Sequence, residues 1–214
     1  MSRVLPYNAK QWEIPLLLDG RKTVTRRVIK VPPYYPHFHK LHLNTDRAIT
    51  GSPDRLFAGF YKDEQIFYID GEKHIDAVYY SAPCKPGDTL YVRETWAINP
   101  NPNIYGNYYY KANKNAVAPI CTKWHPPIHM PKEAARIWLK VTDVRVERLQ
   151  DITADQCIKE GTEKEALEVG AEFTRGMFSD IWDGTIKKPD LDRYGWNANP
   201  WVWVIKFERC EKPE

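Results

Sequence analysis

The sequence predicts an α+β fold built around a small mixed β-barrel of about five or six strands, with flanking short helices and long loop insertions. Three observations predict it. Runs rich in β-branched residues or alternating in polarity recur along the chain at residues 23–28, 89–94, 137–148 and 201–208. Helical signals between them are brief and locally capped. Strands of that number and length leave exposed edges unless the sheet closes on itself. The 214 residues suffice for a single domain with its own core, and residues 1–214 are read as one unit with an insertion at about 31–83.

The elements follow in chain order. Asn8 is placed to cap a short helix through Trp12, Ile14, Leu17 and Leu18, which Gly20 ends as its left-handed residue. Pro15 lies inside that helix, where it is expected to break or kink it. Residues 23–28 form a strand with Thr23, Thr25 and Arg27 on one face and Val24, Arg26 and Val28 on the other. Residues 31–83 are rich in proline and tyrosine and alternate only weakly around 66–69, which fits an inserted segment holding one hairpin. Lys85-Pro86-Gly87-Asp88 is a turn by composition, and the strand at 89–94 delivers Arg93 and Glu94 to its far end. Residues 98–131 read mostly as loop, with a short strand at 108–111. Ile137, Leu139, Val141, Val144 and Val146 mark a long strand or strand pair, kinked or bulged at Thr142-Asp143. Thr153 and Gln156 fit a capping box opening a short helix that carries Glu160 and stops at Gly161. A further helix is expected over 173–186 and a closing strand over 201–208.

With 43% apolar and 28% charged residues, the chain has the balance of a soluble globular protein. No apolar run approaches the roughly 18 residues of a membrane span, and residues 1–10 lack the features of a secretory signal. A cytoplasmic location without membrane contact is the expectation. Cys84, Cys121, Cys157 and Cys210 are widely spaced with no C-x-x-C pair, so free thiols are expected. Cys121, His125 and His129 are spaced by four, but Pro126 and Pro127 deny the histidines a common helical face. His37, His39 and His42 form a second loose cluster. For both clusters solvated or hydrogen-bonded histidines are expected, and neither a metal nor another cofactor is predicted. No pattern calls for an obligate protein partner.

A net charge of +3 is too mild to announce nucleic-acid binding. Its distribution is uneven, however. Residues 20–45 contain no acid, while Arg21, Lys22, Arg26, Arg27, Lys30 and Lys40 supply fixed or ready positive charge. Such a stretch either attracts phosphate and carboxylate groups or is a face whose acidic partners come from elsewhere in the fold.

Gly20-Arg21-Lys22-Thr23-Val24-Thr25-Arg26-Arg27 resembles the signature that opens ASCH domains, a branch of the PUA-like β-barrels. The resemblance continues through Pro86-Gly87-Asp88-Thr89-Leu90-Tyr91-Val92-Arg93-Glu94-Thr95-Trp96, Ile128-His129-Met130-Pro131, residues 144–153 and Asn199-Pro200-Trp201-Val202-Trp203-Val204. Together these blocks look like the larger bacteriophage and prophage members and cover about half the chain in order. The resemblance implies a PUA-like barrel whose partner is a modified nucleoside or single-stranded RNA. The family includes small amidohydrolases acting on N4-acetylcytidine, and a ribonuclease. Carried over by motif, the catalytic Lys, Thr and Glu of those amidohydrolases fall on Lys22, Thr25 and Glu160, the last through Ile152-Thr153 and the helix that follows. The chain departs from the small enzymes by about fifty inserted residues after the signature and a long loop before His129, which reshape or cover the implied pocket.

Amide hydrolysis needs an activated nucleophile, a base and a donor for the oxyanion. Lys22 can serve as base to Thr25 if burial or the charges of Arg21, Arg26 and Arg27 lower its pKa. Residues three apart in an ideal strand face opposite sides, so this pairing requires Lys22 to remain in the turn after Gly20. Glu160 then orients Lys22 or passes a proton to the leaving amine. On spacing alone the same residues read as a solvent-facing strand start. Arg21, Arg26 and Arg27 are candidate substrate- or RNA-binding residues. Arg93, Glu94 and Trp96 form a second constellation, in which the indole stacks on a base and a neighbour reads its edge, or in which the indole packs in the core. Three functions stay open: hydrolysis of an N4-acylated cytidine or related nucleoside amide, non-catalytic RNA binding, and single-stranded RNA cleavage with Lys22 and Glu160 as acid and base.

Overall fold

A computed structural model describes residues 2–31, 37–44, 55–69, 72–102, 106–113, 118–119 and 122–213. Its strands are β1 (Val4–Asn8), β2 (Val24–Val28), β3 (His37–Asn44), β4 (Arg55–Ile69), β5 (Glu72–Ser81), β6 (Thr89–Arg93), β7 (Trp96–Ile98), β8 (Tyr108–Tyr110), β9 (Trp138–Arg148) and β10 (Trp201–Cys210). The α-helices are α1 (Glu13–Leu18), α2 (Ala154–Glu160), α3 (Ala166–Val169), α4 (Ala171–Asp183) and α5 (Leu191–Tyr194). The fold is mixed α+β, with a five-stranded sheet in the order β1-β6-β9-β10-β2. The β1–β6 pair is parallel and the other ladders are antiparallel.

Four of these five strands coincide with the runs that alternation predicts. The fifth, β1, contains Pro6, which ordinarily argues against a strand. At the sheet edge a missing donor is tolerated, and β1 is an edge strand. Asn8 therefore ends β1 and does not cap α1, whose N-cap is Trp12. Pro15 falls in the first turn of α1, where backbone N–H groups have no intrahelical acceptor, so the helix does not break there.

The closed barrel expected from the sequence is not what the ladders give. Strands β1 and β2 are the two edges, and no ladder joins them among the described residues. They approach through side chains: the Arg27 guanidinium of β2 lies 5.0 Å from the Tyr7 ring centroid of β1.

Strand β10 explains how the sheet serves two cores. Trp203, Ile205 and Phe207 enter one cluster with Tyr7, Ile14, Leu17, Leu90 and Leu139. Val202 and Val204 enter the other with Val24, Leu149, Cys157, Phe178 and Trp182. The period of two thus lets one strand anchor α1 on one face and α2 and α4 on the other. The register between β9 and β10 shifts so that Thr142 is the extra residue, at the predicted bend.

Residues 31–83 contain a three-stranded antiparallel sheet, β3-β4-β5, where the sequence predicts one hairpin. The polar run Lys62-Asp63-Glu64-Gln65 breaks the alternation that marks a strand, although pairing resumes at Ile66. Ala58 and Phe60 of β4 belong to the first core, and the Phe60 ring sits 5.8 Å from Trp201. Among the described residues no helix is long and apolar enough to cross a membrane, and no group of three or more His, Cys, Asp or Glu is arranged to hold a metal. Cys84, Cys157 and Cys210 are free thiols. Cys121 and the side chains of His37, His39 and His42 lie outside the described residues.

Candidate functional site

The turn after α1 sets the site. Gly20 adopts φ +76° beyond the helix end, and Lys22 N–H donates to the Leu16 carbonyl at 3.0 Å. Thr23 N–H donates to the Lys159 carbonyl at 3.0 Å, while its own carbonyl accepts from Phe207 N–H at 2.9 Å. Residues 22–23 are thereby clamped between α1, α2 and β10. Because β2 begins only at Val24, Lys22 stays outside the strand and its chain is free to turn toward Glu160.

The helix carrying Glu160 is fixed by its two ends. Thr153 and Gln156 form the predicted capping box at its start, and Gly161 ends it in the left-handed conformation, φ +118°. A Cβ on Gly161 would stand 2.7 Å from Leu16 Cδ1 and 3.0 Å from Trp12 Cζ3. The bare glycine lets α1 close onto the end of α2, which brings Glu160 against Lys22.

Lys22 Nζ donates to Glu160 Oε2 at 2.9 Å and to the Glu160 carbonyl at 2.7 Å, and it lies 3.5 Å from Glu13 Oε1. Arg26 Nη1 donates to the other Glu160 oxygen at 3.0 Å, while Nη2 reaches Gln156 at 2.7 Å and Glu147 at 3.2 Å. Lys22, Arg26, Glu13 and Glu160 are all buried, an arrangement that is costly unless each charge is met. Burial pushes the Lys22 ammonium down, but the carboxylate of Glu160 above all, followed by Tyr7 and Glu13, carries its pKa above the ordinary value. Lys22 therefore favours its cationic form, whereas the role of base expected from the sequence requires a lowered pKa. Arg21 does not help to depress it, being exposed and paired with Asp19 at 2.8 Å. Arg26, expected to meet substrate or RNA, is instead consumed by the buried carboxylates.

Thr25 lies on the opposite face of β2 from Arg26 and is 1% exposed. Its Oγ1 accepts from Arg27 Nη1 at 2.9 Å and stands 3.5 Å from the Tyr7 hydroxyl oxygen. Tyr7 donates its single proton to Glu13 Oε1 at 3.0 Å, and Glu13 Oε2 is fixed by Lys10 N–H at 2.6 Å. Burial holds the Tyr7 phenol above its ordinary pKa, so it keeps that proton. The contact from the same hydroxyl to Thr25 Oγ1 is the longer and weaker of its two. Lys22 and Thr25 are thus connected around the sheet edge through Glu13 and Tyr7. Neither of those two residues is among the sequence candidates. The available signal was Glu13 itself, an acid standing immediately before the apolar run Ile14-Pro15-Leu16-Leu17-Leu18.

Two cavities flank this chain of contacts. The smaller, about 40 Å³, is lined by Lys22, Thr25, Glu160 and Trp182 and has room for water but not for a nucleoside. The larger, about 650 Å³, is lined by Tyr7 and Arg27 together with Arg3, Arg55, Leu90 and Trp203, a volume suited to a small-molecule ligand. Both partners of the Thr25 hydroxyl face this second cavity.

Arg93, Glu94 and Trp96 line neither cavity. Arg93 donates to the Tyr91 hydroxyl at 2.8 Å and to the Ile128 carbonyl at 3.1 Å. Glu94 is buried and held by Arg136 at 2.8 and 2.9 Å. Trp96 is 7% exposed between Tyr108 and His125, with ring centroids at 5.6 and 5.1 Å, so its faces are already covered and it offers no stacking platform. Comparisons of the chain with protein-family models, with curated proteins and with solved structures found no match.

Proposed function

We propose that the protein is an ASCH-type hydrolase of the PUA-like class that cleaves the exocyclic amide of an N4-acylated cytidine or a related nucleoside amide. The observation that carries this reading is the Thr25 hydroxyl, linked through Tyr7 to a buried carboxylate and held by a guanidinium, beside a cavity of nucleoside size. The signature residues Lys22, Thr25 and Glu160 converge on one cleft, which adds support.

Thr25 Oγ1 attacks the acyl carbon while its proton passes to Tyr7 Oη, and Tyr7 hands its own proton to Glu13. Arg27 offsets the charge that develops on the attacking oxygen and on the carbonyl oxygen. The C–N4 bond then breaks, N4 takes back the proton, and water hydrolyses the acyl-threonine ester to free acid and Thr25. Lys22 holds Glu13 and Glu160 in place as their counter-ion and carries no proton in the cycle. Since Thr25 is covered in this state, substrate has to displace part of its surroundings to reach it.

Incubation with N4-acetylcytidine, followed by chromatography for cytidine, tests the activity. Thr25→Ala and Tyr7→Phe should each lose about a hundredfold or more in kcat, because each removes a group in direct contact with the transferred proton. An inert wild-type protein, or a fully active Thr25→Ala variant, would sink the reading. A labelled single-stranded RNA in the same assay separates it from RNA cleavage and from simple retention of RNA.

A further inference from the structure

The larger cavity has an electrical asymmetry that its apolar walls do not require. Three guanidiniums line it, from Arg3, Arg27 and Arg55, and no Asp or Glu does among the described residues. They differ in what they already hold. Arg3 is neutralised by Asp88, with Nη2 to Oδ2 at 2.6 Å and Nε to the same oxygen at 3.1 Å. Arg27 gives Nη1 to Thr25 and to the Arg26 carbonyl. Arg55, half-buried at the start of β4 and paired through its backbone with Asn44, has a side chain with no hydrogen bond or ion pair among the described residues. A cationic side chain partly withdrawn from water with no counter-ion is poised for an anion.

We propose that this cavity binds a nucleoside monophosphate, with Arg55 holding the phosphate and the base lying toward Tyr7 and Arg27. A planar guanidinium offers two parallel N–H donors to phosphate oxygens, a fit that a neutral ribose hydroxyl does not reproduce. The walls supplied by Leu5, Leu90 and Ile205 suit the body of such a ligand, while the Arg27 guanidinium, packed on Tyr7, offers a flat cationic surface to the base. At about 650 Å³ the space accommodates base, sugar and one phosphate together. Because Arg55 comes from the inserted three-stranded sheet, the insertion contributes the anion-holding group. The orientation of the base rests on the amidohydrolase reading, whereas the phosphate site does not.

Calorimetric titration of the full chain with cytidine 5′-monophosphate, cytidine, the dinucleotide CpC and inorganic phosphate separates the sources of phosphate. The monophosphate should bind at least about tenfold more tightly than cytidine, than the dinucleotide and than phosphate alone. Arg55→Gln should close the gap between monophosphate and cytidine, and Arg55→Lys should retain part of it. Equal affinities for monophosphate and cytidine, a gap that survives Arg55→Gln, tighter binding of the dinucleotide, or no binding of the monophosphate would each overturn the proposal. The titrations involve no turnover. Arg55-dependent binding without hydrolysis of N4-acetylcytidine or its 5′-monophosphate would remove the catalytic reading and leave this site standing, and hydrolysis without such binding would do the reverse.

Discussion

At the scale of single residues, Lys22 decides how the site can work. Burial disfavours its charge, yet the Glu160 carboxylate at 2.9 Å, with Tyr7 and with Glu13 at 3.5 Å, offsets that, and its pKa lies above the ordinary lysine value of 10.5. A lysine acting as general base gives a rate that climbs as it deprotonates, toward and beyond pH 9. A lysine acting as counter-ion gives none of that rise, so kcat/KM on N4-acetylcytidine should be flat between about pH 7 and 9. Steady-state rates across that interval check this, and a tenfold climb would restore Lys22 as the base. Replacing Lys22 by Met strips the main counter-ion from Glu13 and leaves Glu160 to Arg26 alone. Removing one member of a buried ionic group typically costs on the order of 3–5 kcal/mol. Urea unfolding of Lys22→Met should show a loss of about that size, and adding Glu160→Gln should cost less than the sum of the two single changes.

Among the elements, contact between α1 and α2 is what assembles the charges, and it depends on Gly161. Alanine there would have to hold φ near +118° and would drive its Cβ toward Leu16 and Trp12. Gly161→Ala should therefore destabilise by more than the ~1 kcal/mol of left-handed strain alone, and it should lower the rate by letting Glu160 drift from Lys22. A variant with wild-type midpoint in urea and wild-type rate would show that the contact is slack. The start, cap and stop of α2 were legible in the sequence because Thr153, Gln156 and Gly161 act on their immediate neighbours. Strands β2, β6, β9 and β10 were legible because each shows a face of its own. Strand β1 was not, since Pro6 masks it and its partner β6 lies about eighty residues away. Tyr7 went unseen with it. Lys22 and Glu160 are 138 residues apart, and only the resemblance joined them before the structure did. For Trp96 the sequence left base stacking and core packing both open, because composition carries no record of which rings cover its faces.

For the whole molecule, the sign of the pH dependence of stability tests the electrostatic picture without any substrate. Buried Asp88 anchors Arg3 at the start of β1 and the Lys85 backbone in the turn before β6. Burial raises its pKa, but those hydrogen bonds outweigh burial and hold it below 3.8. A depressed carboxyl contributes stability above its unfolded pKa that disappears as pH falls through the folded one, so a loss is expected below about pH 4. At the other end the buried groups Tyr7, Lys22, Cys84 and Cys157 all shift upward. Burial lifts the Cys157 thiol to about 11 and the Cys84 thiol to about 12, and Tyr7 and Lys22 lie above 10.0 and 10.5. Each holds its proton more tightly folded than unfolded, so its contribution is complete below the unfolded pKa and is lost as pH rises through the folded one. The unfolding free energy should thus be nearly level from about pH 5 to 8 and fall steadily above about pH 9. Tyr7→Phe should make the alkaline fall shallower, because one of the raised groups is gone. Chemical denaturation at intervals from pH 4 to 11 measures the whole curve. A depressed, base-like Lys22 would work in the opposite direction, since its unfolded form would bind the extra proton and stability would gain with pH in the range between the two pKa values. Stability that rises between pH 8 and 10, and stops rising in Lys22→Met, would therefore contradict the counter-ion role of Lys22.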